Sequence, residues 1–199
     1  MKTYGQNGED IAIQSYFDSI QQYSGRVLDI GAFDGITFSN SRALIEQGWR
    51  GVLVEADFGN AENCRKNNIG HNTLTLCAAV DPHDTGIKTF YSSNGDMVGT
   101  TEENHRNKWA KDVKFNECLV MSVSALTLFH QFNDTFDFIN IDVEGISSEI
   151  AKVMIPMYKN CKVICIEHDN EADYLRSLCR QYDYTKELLF NGENLIMAR

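Results

Sequence analysis

Carboxylates gather wherever an apolar run of this chain ends. VLDIGAFDG, from Val27 to Gly35, carries Asp29 within the run and Asp34 just past it; GVLVEAD ends in Glu55 and Asp57, and NTLTLCAAVD ends in Asp81. TFDFINIDVEG ends in Asp142 and Glu144, and CKVICIEHD ends in Glu167, His168 and Asp169. A solvated polar rim accounts for any one of these. Five on one edge of a sheet need more, because carboxylates crowded at one mouth repel unless a cation or a donor-rich ligand lies among them. Glu55 has the most specific chemistry. An acid closing a second strand, beyond a glycine turn, can accept hydrogen bonds from both hydroxyls of a ribose, each worth on the order of 1.5–3 kcal/mol when charge-assisted.

The glycine turn narrows the ligand. At Gly31 and Gly35 a missing Cβ would let a ligand lie against main-chain N–H groups. The dinucleotide pattern G-x-G-x-x-G is absent, since Gly31 is followed by Ala32, Phe33 and Asp34 before Gly35. A pyrophosphate would also face Asp29 and Asp34, a mismatch of sign. A ligand with a cationic centre and an ammonium group fits better, and S-adenosylmethionine has both.

These residues need a scaffold of alternating strands and helices, and the chain supplies one. Apolar positions at Ile11, Ile13, Tyr16, Phe17 and Ile20 predict a helix from about Gly8, which makes residues 1–23 a covering segment before the first strand. SNSRALIEQG predicts a helix from Ser39 to Gly48, completing a βαβ unit with the strand that ends at Glu55. A short polar helix is expected over Asn60 to Asn68 and a single third strand over Asn72 to Asp81. Residues 82–121 read as an insertion with two strands, KTFYSS and NECLVMS, and a mobile loop at Asn94 to Thr101. VSALTLFHQF predicts a helix from Val123 capped by Ser122 or Ser124. Helices through Ile150 and Met154 and from Glu171 to Tyr182 follow, with closing strands near Tyr184 to Phe190 and Asn194 to Met197. Near-continuous apolar strands alternating with helices argue for a mostly parallel α/β sheet covered on both faces.

Composition bounds the partners. With 199 residues and 43% hydrophobic content, one domain over 1–199 is expected. The net charge of −10, from 28 acidic against 18 basic residues, opposes a nucleic-acid backbone as partner. The absence of any apolar run near roughly 18 residues argues against a membrane partner, and a cytoplasmic location is expected. Cys64, Cys77, Cys118, Cys161, Cys165 and Cys179 show no Cys-x-x-Cys pairing and read as reduced thiols. Trp49 and Trp109 read as core or rim. The oligomeric state is not legible.

The motifs VLDIGAFDG, VLVEAD and FINIDVEG resemble class I S-adenosylmethionine-dependent methyltransferases. YGQNGED, GITFSNSRALIEQGWRGVLVEA and IEHDN resemble, more narrowly, the FkbM-type family. That family often has an acid two residues past the DVEG glycine; this chain has Ser147 there and keeps Glu149. The resemblance implies a Rossmann-like fold with a mostly parallel seven-stranded twisted sheet and one antiparallel strand. It also implies S-adenosylmethionine as cofactor and O-methylation of a small-molecule or glycan hydroxyl. On the residues, it implies that the turn of Asp29, Gly31, Ala32, Asp34 and Gly35 holds the methionine part. Glu55 would hold the ribose, Ala78 and Ala79 the adenine, and Asp142 would face the reacting centre. Asp142 and Glu144 could equally cap the following helix. His168 is a candidate base for the acceptor hydroxyl or a structural histidine at a strand end. A metal on Asp142, Glu144 and His168 is conceivable, but no His-x-x-x-His or Glu-x-x-His spacing supports one, and none is expected. A nicotinamide-dependent oxidoreductase and a non-catalytic nucleoside-binding module stay open as alternatives.

Overall fold

The computed structural model describes residues 2–199. The elements run α1 (Glu9–Ser19), β1 (Arg26–Ile30), α2 (Arg42–Glu46), β2 (Arg50–Glu55), α3 (Phe58–Asn67), β3 (Thr73–Cys77), β4 (Ala79–Asp81), β5 (Gly86–Ser92) and α4 (Glu103–Trp109). They continue with β6 (Asn116–Ser124), α5 (Ala125–Phe132), β7 (Phe138–Ile141), α6 (Ser147–Met157), β8 (Val163–Glu167), α7 (Ala172–Gln181), β9 (Lys186–Phe190) and β10 (Asn194–Ala198). Seven strands form one sheet in the order β3-β2-β1-β7-β8-β10-β9. β10 runs antiparallel to both its neighbours, and the pairs β3·β2, β2·β1, β1·β7 and β7·β8 are parallel.

Because side chains alternate across a strand, the apolar runs feed two cores at once. Leu28, Ile30, Ile139, Ile141, Ile164 and Ile166 pack on the face covered by Leu128 of α5, Ile150 and Met154 of α6 and Leu175 of α7. Val27, Phe138, Val163 and Cys165 pack on the opposite face, under Ile13, Tyr16 and Phe17 of α1 and Leu44 of α2. Trp49 belongs to this second core, its ring 4.6 Å from that of Phe17. The register places Asp29 beside Leu53 and Asn140, and Asn140 beside Cys165. Two residues further along each chain, at the carboxyl end of the same face, stand Glu55, Gly31, Asp142 and Glu167. This row is the frame of the site.

The expected single strand over residues 72–81 is two strands in two sheets. β3 follows β2 only as far as Glu55, which pairs with Cys77. Past that point β2 offers no partner, so the chain turns at Ala78, whose N–H donates to Glu55 O at 2.9 Å, and β4 pairs with β6 instead. Within residues 82–121 the two expected strands are present as β5 and β6, which pair antiparallel over seven residue pairs, and α4, which was not expected, follows the segment read as a loop at Asn94 to Thr101. Val123 is in β6 rather than a helix. Ser124 is the cap of α5, accepting the Thr127 N–H at 3.0 Å. No helix among the described residues is long and apolar enough to cross a membrane.

Candidate active site

A cavity of about 370 Å³ opens at the carboxyl ends of β1, β2, β7 and β8. Ser39 and Asn40 border it on the α2 side; Asp96, Met97, Gly99 and Thr100 from the loop after β5, with His105, Lys108 and Trp109 of α4, border it opposite. Its size suits a drug-sized ligand.

Asp29 lies beneath the cavity, 2% exposed. Its carboxylate accepts the Ser41 hydroxyl and the Asn140 side-chain N–H at 2.9 Å, and Asn40 donates in turn to Asn140 Oδ1 at 3.1 Å. Burial raises the Asp29 pKa, and the Ser41 and Asn140 donors oppose that rise. Asn40 Oδ1 is buried with no donor of its own. Glu55 joins the turn to the second strand: its carboxylate accepts the Phe33 N–H at 3.0 Å and the Asp57 N–H at 2.7 Å. Burial is the main cause that pushes its pKa up to about 7, against the lowering effect of those two N–H donors.

The structure changes the role of the turn. The N–H groups of Gly31 and Ala32 both donate to Val54 O, and that of Gly35 donates to Ala32 O, so these amides are not free to meet a ligand. Gly31 is needed for a different approach: at φ +84° a Cβ there would fall 1.7 Å from Asp142 O. Gly31 and Ala32 line the cavity, whereas Asp34 and Gly35 do not. Asp34 caps its own turn, accepting the N–H groups of Ile36 and Thr37 and the Thr37 hydroxyl. Gly35 packs on α3, where a Cβ would meet Asn68 at 2.6 Å. Ala78 and Ala79 line an apolar corner of the cavity with Val80 and Phe90.

Asp142, Glu144 and Glu167 converge at the other end, each offering an oxygen within 4.8 Å of the others. Burial, then the charges of Glu144 and Asp29, raises the Asp142 pKa; burial, then Asp142 and Glu144, raises that of Glu167. Ser147 explains why serine suits the position past DVEG: its hydroxyl donates to Glu167 Oε2 at 2.9 Å and accepts the Val143 N–H at 2.8 Å. A carboxylate there would confront Glu167. Helix capping by Asp142 or Glu144 does not occur, since α6 has no side-chain cap and Ser148 N–H is taken by Asp169 at 3.0 Å.

His168 lines the cavity, yet its ring nitrogens point into the fold. Nδ1 accepts the Asn170 N–H at 3.2 Å, which leaves Nε2 protonated to donate to Asn191 O at 3.2 Å. No lone pair remains for a substrate proton, so the geometry favours the structural role over the base. The histidine that sequence reasoning missed is His105, whose Nε2 lies 2.9 Å from Glu144 Oε2. It sits on α4, where ENHRNKW has no apolar periodicity to announce a helix. At the N-terminus, Glu9 of the YGQNGED stretch is 1% exposed and accepts the side-chain N–H groups of Asn191 and Asn194, locking α1 onto the β9–β10 hairpin.

The sheet order and a ligand cavity at its carboxyl edge define a Rossmann-like class I methyltransferase fold. The chain belongs to the Methyltransferase FkbM domain family, which it matches over residues 29–184. Among solved structures it is similar to the SAM-dependent methyltransferase of Agrobacterium tumefaciens, with 11% identity and a TM-score of 0.51. That match covers 97% of this chain and 62% of the other, so this chain spans less than two thirds of that protein's length. It is also similar to a methyltransferase from Pyrococcus furiosus, at 13% identity and a TM-score of 0.47, covering 95% of this chain and 82% of the other. At 11% identity the likeness to the Agrobacterium protein is one of fold. No curated protein matches the sequence.

Proposed function

We propose that this protein is an S-adenosylmethionine-dependent methyltransferase that methylates a hydroxyl of a sugar or another small metabolite. The observation that carries the cofactor half is the acceptor-rich wall of the cavity: Glu55 at one end, Asp142, Glu144 and Glu167 at the other, and the buried, unpartnered Asn40 Oδ1 beside them. This set is rich in acceptors, and a bound cation would draw its raised pKa values down and ionise it, which fits a ligand bearing a ribose, an ammonium and a sulfonium and opposes a pyrophosphate. When bound, that cofactor supplies an electrophilic methyl group open to in-line displacement by an acceptor oxygen.

The chain's own residues then have distinct tasks. Glu55 orients the ribose, each of its oxygens keeping a lone pair beyond the backbone N–H it already accepts. Ala78, Ala79 and Phe90 cover the adenine with apolar surface. Gly31 and Ala32 form the wall along the methionine part, and Asp29 acts beneath it by holding Asn140 and Ser41 in place. Asp142 faces the reacting centre. Met97, Thr100 and the α4 residues close the side away from α2 and exclude water, so that alignment of oxygen, methyl and sulfur supplies most of the rate. The net charge of −10 favours an uncharged or cationic acceptor over a nucleic acid.

Incubation with methyl-labelled S-adenosylmethionine and a panel of glycans and hydroxylated metabolites tests this function. Label in an ether-linked methyl of one acceptor class is the expected result. Cofactor binding with no transfer to any hydroxyl, but transfer to an amine or a nucleic acid, would overturn the acceptor assignment; preference for NADH would overturn the cofactor.

A further inference from the structure

The stretch YGQNGED, Tyr4 to Asp10, contains one residue that the fold does not use. Tyr4 N–H donates to Asp10 Oδ2 at 2.7 Å, and Tyr4 Oη donates to Glu46 Oε1 of α2 at 2.6 Å. Asn7 N–H donates to Glu9 Oε2 at 2.7 Å, and the Asn7 side chain reaches Glu193 Oε2 at 3.4 Å. Glu9 holds the β9–β10 hairpin through Asn191 and Asn194. Gly5 lies against the first turn of α1, where a Cβ would come 2.9 Å from Asp10 Oδ1, and Gly8 turns the chain into the helix at φ +87°. The segment is a strap fixed on α2 at one side and on the hairpin at the other. Gln6 stands between these anchors, and its side-chain amide bonds to nothing among the described residues. It is exposed, and it is the one residue of the stretch that lines the cavity.

A line of contacts runs from the strap to the floor of the cavity. Glu9 Oε1 accepts the Asn194 amide at 3.3 Å, Asn194 Oδ1 lies 3.9 Å from Cys165 Sγ, and Asn40 Nδ2 lies 3.6 Å from the same sulfur. Asn40 donates in turn to Asn140, the partner of Asp29. Its own Oδ1, buried and without a donor, suits an ammonium. An amino-acid group brings a carboxylate as well, and the acceptor oxygens of Asp29 and Glu193 offer it nothing. Among the described residues that line the cavity, the only lysine or arginine is Lys108, across the cavity on α4. A carboxylate on the strap side therefore needs a neutral donor, and a side-chain amide is one.

We infer that Gln6 is a cofactor-binding residue: its side-chain N–H donates to the carboxylate of the methionine part, while Asn40 Oδ1 accepts from the ammonium. Tyr4, Asn7 and the two glycines set the position of Gln6 and do not touch the ligand themselves. The inference rests on the methyltransferase function proposed above. It extends the cofactor site to a segment that lies outside residues 29–184, over which the chain matches its family.

Calorimetric titration of the full chain with S-adenosylmethionine and with its decarboxylated analogue tests this, since the analogue keeps the sulfonium and the amine and lacks only the carboxylate. In Gln6→Ala, affinity for S-adenosylmethionine should fall about tenfold or more, the loss of one hydrogen bond to a charged group, and affinity for the analogue should stay within about twofold. Gln6→Glu sets a carboxylate against a carboxylate. It should weaken S-adenosylmethionine at least as much as Gln6→Ala does, and strengthen the analogue, which is cationic throughout. Gln6 is exposed, so both variants should fold, and the analogue reports on the strap in either of them. Equal losses for the two ligands would show a merely structural effect and overturn the assignment. Saturable binding of S-adenosylmethionine to the wild type, unchanged in Gln6→Ala, would remove the role of Gln6 and leave the methyltransferase standing. Absence of binding to the wild type would remove both.

Discussion

Glu55→Gln removes one charge from a buried carboxylate whose pKa burial has pushed up to about 7 from 4.5. Without ligand, the fold favours the protonated acid. Its contribution to stability is therefore fully present below pH 4.5 and is lost as pH rises to about 7; at about 1.4 kcal/mol per unit this amounts to roughly 3 kcal/mol. Cofactor binding has the opposite sign, because ribose hydroxyls donate best to the ionised form and draw the pKa back down. At pH 6 about one tenth of Glu55 is ionised, so affinity for S-adenosylmethionine should be roughly eightfold weaker than at pH 8, and roughly twentyfold weaker at pH 5, approaching the limit set by the neutral acid. In Glu55→Gln the slope due to this group should vanish, and affinity at pH 8 should fall by roughly 2 kcal/mol, about 30-fold, as charge-assisted bonds become neutral ones. Asp142 and Glu167 titrate in both proteins, so the difference between the two profiles belongs to Glu55. Calorimetric titrations from pH 5.5 to 8.5 measure it. Identical slopes in wild type and variant, or an unchanged affinity at pH 8, would refute the ribose assignment.

Other substitutions probe the frame and the chemistry. Gly31→Ala places a Cβ 1.7 Å from Asp142 O at a positive φ, and should cost about 3 kcal/mol or more in urea unfolding; a loss under roughly 1 kcal/mol would show that β1 and β7 do not need this close approach. Trp49→Ala empties the core beside Phe17 and should cost about 3–5 kcal/mol, read as a lower denaturation midpoint with little change in cofactor affinity at temperatures where the variant is folded. His168→Gln should leave the rate of methyl transfer within a few-fold, since both ring nitrogens serve the backbone of Asn170 and Asn191; a loss of roughly 100-fold or more would restore the general base.

Much of the frame was legible because it depends on local pattern. GVLVE and VICIE are continuous apolar runs that end in acid, VLDIG and FINI are apolar but for Asp29 and Asn140, and a parallel sheet buried on both faces demands such runs. The split at Ala78 was not legible, since β3 and β4 are equally strand-like and only the end of β2 at Glu55 decides where the chain must leave. α4 was missed because only Trp109 among its seven residues is strongly apolar, so no period of 3.6 exists to detect. The same blindness hid His105: its contact with Glu144 is made across 39 residues of sequence and depends on Gly145 and Thr100 to bring the helix down. In the turn, the residue types pointed to a ligand at Asp34 and Gly35, but both are consumed by local structure, one as a cap and the other as a packing site for α3. Glycine spacing alone does not separate a residue that touches a ligand from one that lets two backbones approach.

Calorimetric titration of the folded chain with S-adenosylmethionine at pH 8, where Glu55 is ionised, is the most direct test of the cavity as a cofactor site. Saturable binding at one site per chain, weakened by Glu55→Gln, is the predicted result. A folded protein that shows no saturable heat with S-adenosylmethionine would contradict the assignment of this site.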